Sequence, residues 1–181
     1  MSDRRAGGET PEIARREPPL KPLELLAALH KHAVDVVVIG GFALPAHGYS
    51  RATKDVDVVP EPSRPNLSRL LVALEELDAE PLAIGDFKPE EIPELSLENL
   101  ELGGNWLLRT RFGRLDVMQF ADGLPEYREL RAAAVFPDLR HQDVPPFVGY
   151  DHLVAMKRAA GRPEDLRDIA ALEKARGAED A

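Results

Sequence analysis

The chain has 181 residues, with 23 lysines and arginines against 32 aspartates and glutamates, and a formal net charge of −9 at pH 7. This length suits one domain with a buried core. The acidic balance argues against a protein that coats nucleic acid by bulk electrostatics, although it leaves room for a local basic pocket. Cysteine is absent, which excludes a disulfide framework, a thiolate zinc site and a cysteine nucleophile.

The N-terminal stretch "MSDRRAGGETPEIARREPP" lacks an apolar signal core, and no apolar run approaches membrane-spanning length. We therefore expect a cytoplasmic protein that does not span a membrane. Residues 1–20 are charged and proline-rich, which predicts a flexible N-terminal arm. Residues 21–181 show no internal repeat and no convincing boundary, so a single domain is expected there.

Apolar periodicity predicts the elements of the first half of the chain. Leucines and alanines at helical spacing from Pro22 predict a helix, and "VDVVVIGG" predicts a buried strand that ends in a glycine turn. The segment "FALPAHG" is typical of a short helix stopped at Gly48. "DVDVV" predicts a second strand, and a helix over "RPNLSRLLVALEELDA" follows it, with Ser63 as its cap.

The second half begins with residues 86–104, which are acidic and broken by prolines and are expected to be irregular. "NWLLRTRFGRLDVMQF" predicts a hairpin that turns near Gly113. Residues 124–148 are ambiguous, and we expect one helix and one or two short strands there. Two C-terminal helices, joined at Gly161–Arg162, complete an α/β (α+β) fold with a mixed sheet flanked by helices.

Three aspartates lie within the predicted strands. Asp55 and Asp57 alternate with valines, so both point to one strand face, with about 7 Å between their Cα atoms. Asp116 alternates with Leu115 and Val117 in the hairpin. If the two strands are neighbours, the three carboxylates converge to within about 4–7 Å and offer oxygen ligands to a hard cation such as Mg²⁺. Acids on solvated strand faces are the alternative reading of the D-x-D pattern alone.

Two glycines, Gly40 and Gly41, end the first strand, where exposed backbone N–H groups can hold a phosphate. The pattern "IGG", thirteen residues and "DVDV" resembles the signature of the DNA polymerase β-like nucleotidyltransferase superfamily. Within it, "GGFALPAHGYSRATKDVDVV", "GRLDVM" and "DHLVAMKRAAGRPEDLRDIAAL" are most similar to small bacterial enzymes of the AbiEii type. These enzymes include type IV toxin–antitoxin nucleotidyltransferases.

The resemblance implies a nucleotidyltransferase-like sheet that uses Mg²⁺, with two ions, to move an NMP from an NTP to a hydroxyl acceptor. Gly40 and Gly41 would lie against the triphosphate. Asp55 and Asp57 would hold the metals, and Asp116 would bind one metal and help the acceptor hydroxyl to lose its proton. Many relatives have a phosphate-binding serine where this chain has Gly41, so one hydroxyl contact is absent here.

Basic residues near these acids are the candidate nucleotide-binding cations. Arg51 and Lys54 flank the approach to the acids, where a triphosphate requires positive charge, with solvated loop charges as the alternative. Lys157 shares a helix side with apolar residues, so it either snorkels or reaches into a cleft, and the resemblance favours contact with the NTP phosphates. Asp165 either orients Lys157 or Arg162 or compensates the helix dipole.

Two classes of function follow. The first is an enzyme whose acceptor is an RNA or tRNA end, a protein hydroxyl or a small molecule such as an antibiotic, and whose biological role includes that of a toxin with a cognate antitoxin protein. A tRNA end would enter a local pocket lined by Arg109, Arg111 and Arg114. The second is a non-catalytic binding or regulatory module with the same fold. Two observations distinguish the enzyme from the non-catalytic module: whether the three acids converge, and whether the protein consumes NTP in the presence of Mg²⁺.

Overall fold

The computed structural model describes residues 18–83, 91–137 and 144–179. The helices are α1 (Pro22–Lys31), α2 (Arg64–Glu76), α3 (Leu97–Glu101), α4 (Tyr127–Ala132), α5 (Tyr150–Ala160) and α6 (Pro163–Glu179). The strands are β1 (Val36–Ile39), β2 (Asp55–Pro60), β3 (Glu80–Pro81), β4 (Asn105–Thr110) and β5 (Gly113–Met118), and a 3₁₀ helix spans Gly41–His47. The predicted α/β class is confirmed. Positions 1–17 of the predicted arm lie outside the described residues.

A five-stranded mixed sheet, in the order β1-β2-β5-β4-β3, organises the molecule. β1 pairs with β2, β5 with β4, and β4 with β3 in antiparallel fashion, whereas β2 and β5 are parallel. The predicted hairpin is present as β4 and β5, and Gly113 follows its turn with a φ of +101°. The parallel pair therefore lies at the centre of the sheet, with a hairpin strand on one side and β1 on the other.

The two faces of the sheet differ in chemistry because side chains alternate along each strand. Val56, Val58, Leu115 and Val117 are fully buried on one face, in a core that also contains the leucines of α1 and α2. The opposite face carries the aspartates and forms a cleft with residues of α5 and α6. Burial of the valine-rich face thus fixes which way the acids point.

Several local predictions needed correction. The helix after β1 is a 3₁₀ helix that contains Pro45, which lacks the N–H needed for regular helical bonding. It ends at Gly48 as expected, with a left-handed φ of +79°. Ser63 precedes α2, but its hydroxyl donates to Glu61, so the predicted side-chain cap is wrong. Ser96 provides such a cap instead, for α3 within the region expected to be irregular.

The ambiguous region contains α4 and a short extended segment around Phe147. Val38 of β1 donates its N–H to Pro146 and accepts from the N–H of Val148, at 2.9 and 2.8 Å. Phe147 also forms an antiparallel bridge with Val135. This segment follows the free edge of β1 and leads directly into α5, which places α5 over the acid-bearing face. Among the described residues, no helix is both long and apolar enough to cross a membrane.

Packing of α2 gives a test of the fold. Leu70 is fully buried, whereas Val72 on the same helix is 48% exposed. We expect Leu70→Ala to lower the free energy of unfolding by about 2–5 kcal/mol, because it leaves a cavity in the core. Val72→Ala, the matched control, should cost only about 0.5 kcal/mol. Urea denaturation measures both values, and equal losses would contradict this packing.

Candidate active site

The register of the two parallel strands brings the acids together. Asp57 of β2 is the direct partner of Asp116 of β5, and Asp55 is the partner of Arg114. Directly paired residues on neighbouring strands point to the same face of a sheet. Asp116 is only 5% exposed. The sheet therefore presents three carboxylates and one arginine on a single face.

The electrostatics of the cluster reflect this crowding. Burial, with the charges of Asp55 and Asp116, raises the pKa of Asp57 to about 7, against an opposing effect of Arg162 and Lys157. Burial also raises the pKa of Asp116 to about 6, although Arg114 lowers it. A nearby cation would stabilise the ionised forms of these two neighbouring carboxylates.

The donor chemistry of the acids suits a hard cation. The Oδ1 atom of Asp116 is buried without a hydrogen-bond partner in the described part of the chain, and carboxylate oxygens are the ligands that Mg²⁺ prefers. No group of three acid, histidine or cysteine side chains within residues 18–83, 91–137 and 144–179 is arranged to hold a metal. Arg114 reaches within 3.6 Å of Asp116. The residues therefore fit a hard cation in donor type and in the sheet face that they share.

The backbone at Gly40 lies directly against the Asp57 carboxylate. Gly40 has a φ of +68°, and a Cβ atom there would overlap Oδ2 of Asp57 and lie 2.8 Å from its Cγ atom. A Cβ atom at Gly41 would lie 3.0 Å from the Thr53 hydroxyl. Glycine is therefore required at position 40 by both conformation and space.

Thr53 is a site residue that the sequence interpretation missed. Its Oγ1 atom lies 3.2 Å from both the main-chain oxygen and the Oδ1 atom of Asp55. The hydroxyl thus restricts the orientation of Asp55 in the cleft. A threonine two residues before the D-x-D pattern was the available signal, because short hydroxyl side chains bond to nearby groups in this way.

A cleft of about 680 Å³ contains these residues. All eight residues predicted for the site line it: Gly40, Gly41, Arg51, Lys54, Asp55, Asp57, Asp116 and Lys157. The three arginines expected to line an RNA pocket are not brought together there. Arg109 pairs with Glu80 beside β3, and Arg111 stacks on Phe112. Arg114 is the direct cross-strand partner of Arg109 and contacts Asp116, whereas Arg111 lies in the hairpin turn, and the residues that line the cleft include none of the three.

Lys157 and Arg51 are joined through Asp168, which the sequence interpretation did not select. Lys157 is only 5% exposed, and its Nζ atom lies 2.7 Å from Asp168 Oδ2 and 3.4 Å from Asp165 Oδ1. Arg51 donates two hydrogen bonds to Asp168, of 2.8 and 2.9 Å. Burial opposes ionisation of Asp168, but these bonds hold its pKa below the usual value. Lys157 therefore does not snorkel to solvent.

Comparison with solved structures shows a shared fold. A crystal structure of ANT(2")-Ia in complex with adenylyl-2"-tobramycin has a TM-score of 0.52 and 17% identity, covering 86% of this chain and 87% of that chain. A solution structure of the antibiotic-resistance factor ANT(2")-Ia has a TM-score of 0.47 and 17% identity, covering 87% and 88%. No protein-family model and no curated protein matches the chain. The first likeness shows a nucleotidyltransferase-like fold for this protein.

Replacement of Gly40 tests its contact with Asp57. Gly40→Ala should destabilise the protein by about 1–3 kcal/mol through its positive φ, and should also displace the Asp57 carboxylate. We expect its affinity for Mg²⁺, measured by calorimetric titration, to fall about 10- to 100-fold. Gly103→Ala is the matched control, because Gly103 also has a positive φ but no atom within 4 Å of the added Cβ. Equal Mg²⁺ affinities in the two variants would contradict the assignment.

The raised pKa of Asp57 predicts a pH-dependent stability of the metal-free protein. An unfolded aspartate titrates near about 3.9, so the folded state holds more protons between that pH and the folded pKa of about 7. Stability must then fall as pH rises through this window. We expect the melting temperature in EDTA to drop by a few degrees between pH 5 and pH 8. Asp57→Asn should flatten this dependence, and parallel curves for the two proteins would contradict it.

Proposed function

We propose that this protein is a Mg²⁺-dependent nucleotidyltransferase that moves an NMP from an NTP to a hydroxyl acceptor. The observation that carries the proposal is the direct pairing of Asp57 with Asp116 in a cleft whose wall is the Gly40 backbone. In the reaction, the acceptor oxygen bonds to the α-phosphorus while the bond from this phosphorus to the bridging oxygen breaks. Pyrophosphate leaves, and the acceptor proton goes to a base.

The three acids have different roles in this reaction. Asp55, Asp57 and Asp116 would hold the Mg²⁺ ions, which when bound offset the negative charge that develops on the phosphate. Asp116, which lines the cleft, also accepts the acceptor proton. Its pKa of about 6 suits a general base near neutral pH.

The main chain beside the acids and the cations of the cleft would together bind the triphosphate. Gly40 and Gly41 allow the phosphates to approach the main chain closely, because neither has a side chain to exclude them. Arg51, Lys54 and Lys157 supply positive potential along the same cleft. The positive charge of Lys157 is partly offset, because its ammonium already contacts the carboxylates of Asp165 and Asp168.

A small hydroxyl-bearing molecule is the acceptor that we favour. The net charge of −9 disfavours an extended RNA surface, and Arg109 and Arg111 lie outside the residues that line the cleft. ANT(2")-Ia, the similar structure, is seen with adenylyl-2"-tobramycin. The AbiEii-type relationship and a toxin role with a cognate antitoxin rest on the motif resemblance. An RNA or protein acceptor would support that role.

Label transfer tests the proposal directly. Each of the four labelled NTPs is incubated with the purified protein, Mg²⁺ and either aminoglycosides, total cell RNA or a cell protein extract. Release of pyrophosphate with label in one acceptor fraction supports transfer and identifies the acceptor class. A folded protein that consumes no NTP under any of these conditions contradicts it and favours the non-catalytic binding module.

Replacement of Asp57 tests the catalytic role of the acids. Asp57→Asn keeps the side-chain volume but removes the charge that a hard cation requires. We expect nucleotidyl transfer to fall by about 1,000-fold or more, as loss of several kcal/mol of transition-state stabilisation implies. Asp78→Asn is the matched control, because Asp78 is exposed, lies outside the cleft and has a φ of +52° that asparagine tolerates. Full activity in Asp57→Asn would remove Asp57 from the mechanism.

A further inference from the structure

The corner between α5 and α6 holds more positive than buried negative charge. Asp165 and Asp168 are both almost completely buried. Three cations contact this pair of carboxylates: Arg51, Lys157 and Arg162. Buried carboxylates require compensating charge, because desolvation is costly for an ion without a partner. Glu164, whose side chain is 58% exposed, also pairs with Arg51 at 3.2 Å, so these three cations have two buried carboxylates and one exposed carboxylate as partners.

Two of the cations are fixed in place. Arg51 donates hydrogen bonds to both carboxylate oxygens of Asp168, and the Arg51 side chain is 23% exposed. Lys157 is more deeply buried and spans Asp165 and Asp168. Removing either of them would leave a buried carboxylate with weaker compensation. These two residues therefore act as the permanent counter-charge of the corner.

Arg162 differs in exposure and in position. Its side chain is 75% exposed, although its Nε atom lies 2.6 Å from Asp165. It follows Gly161, which has a φ of +61° at the end of α5, and it precedes α6. Arg162 lines the cleft and stabilises the ionised form of Asp57 more than Lys157 does. Its guanidinium therefore lies within electrostatic reach of both the buried corner and the acid cluster.

Arg162 is the main partner of the buried Asp165. Its Nε and Nη2 atoms donate to the two carboxylate oxygens, at 2.6 and 3.3 Å, whereas the Nζ atom of Lys157 lies 3.4 Å from one of them. Burial opposes ionisation of Asp165, but these bonds from Arg162 lower its pKa more than Lys157 does. Asp165 therefore anchors Arg162 beside the cleft, and the exposed side of the guanidinium is left for another ligand.

We propose that Arg162, held in place by Asp165, binds a β- or γ-phosphate of the incoming nucleotide through the exposed side of its guanidinium. This inference rests on the proposed function and deepens it by naming the residue that recognises the leaving group. The planar guanidinium matches two phosphate oxygens at once, which the ammonium of Lys157 does not do. Asp165 keeps its partner in the bound state, so binding leaves no buried carboxylate without compensation.

Binding of inorganic tripolyphosphate with Mg²⁺ tests the proposal without knowledge of the base. Calorimetric titrations compare the wild type with Arg162→Gln, Arg162→Lys and Arg158→Gln, and are repeated with the four Mg²⁺–NTPs. Arg158→Gln is the matched control, because Arg158 is exposed on α5 and does not line the cleft. We expect Arg162→Gln to weaken binding about 10- to 100-fold, with partial recovery in Arg162→Lys and no change in the control.

Melting temperatures without ligand separate this role from a structural one. Arg162→Gln removes the main partner of the buried Asp165 and is expected to lower the melting temperature, so each titration is run on folded protein well below the melting temperature of that variant. If Arg162→Gln binds tripolyphosphate and NTP as tightly as the wild type, the proposal is overturned, whatever the melting temperature. A folded wild type that binds neither ligand would refute the proposed function itself, which distinguishes that failure from failure of the Arg162 assignment alone.

Discussion

The parallel pairing of β2 with β5 is the constraint on which the site depends. It sets Asp57 beside Asp116 and Asp55 beside Arg114. A shift of one residue in this register would move one strand's acids to the apolar face, because side chains alternate with a period of two. The buried valines prevent that shift, since they would then be exposed to the cleft. The hydrophobic core thus maintains an arrangement of like charges that would otherwise separate.

The cost of this arrangement is visible in the raised pKa values of Asp57 and Asp116. Gly40 adds to the crowding by bringing main chain against the Asp57 carboxylate. Local strain and electrostatic repulsion of this kind are characteristic of functional sites, where a ligand relieves them. A cation would relieve the repulsion between these carboxylates.

The buried corner of α5 and α6 keeps cations of the cleft apart from its acids. Cations in a cleft that also holds a cluster of acids must be kept apart from those acids if their charge is to be available to a ligand. Asp168 holds Arg51 and Lys157 on the helical side of the cleft, away from the acids of the sheet. The cleft therefore has an acidic wall on the sheet and a basic wall on the helices, which is the charge pattern that the proposed metal–triphosphate complex would require.

The sequence alone determined the main helices and strands, the direction of the acids on their strands and the glycine turn. These features depend on local periodicity and on residues such as Gly40, whose effect is largely confined to the neighbouring backbone. It missed α3, which lies in the stretch expected to be irregular. Ser63 takes the N-cap position of α2, but its hydroxyl bonds to the Glu61 carboxylate instead of the helix.

Only the tertiary structure decided which residues meet. Arg51 and Asp168 are 117 positions apart, and no local pattern links them, because their contact follows from the packing of α6 against the loop before β2. The adjacency of β2 and β5 likewise depends on strand order, which several topologies of the same elements would satisfy. Long-range packing, rather than residue type, therefore placed Arg162 in the lining of the cleft and buried Asp168 beside Arg51 and Lys157.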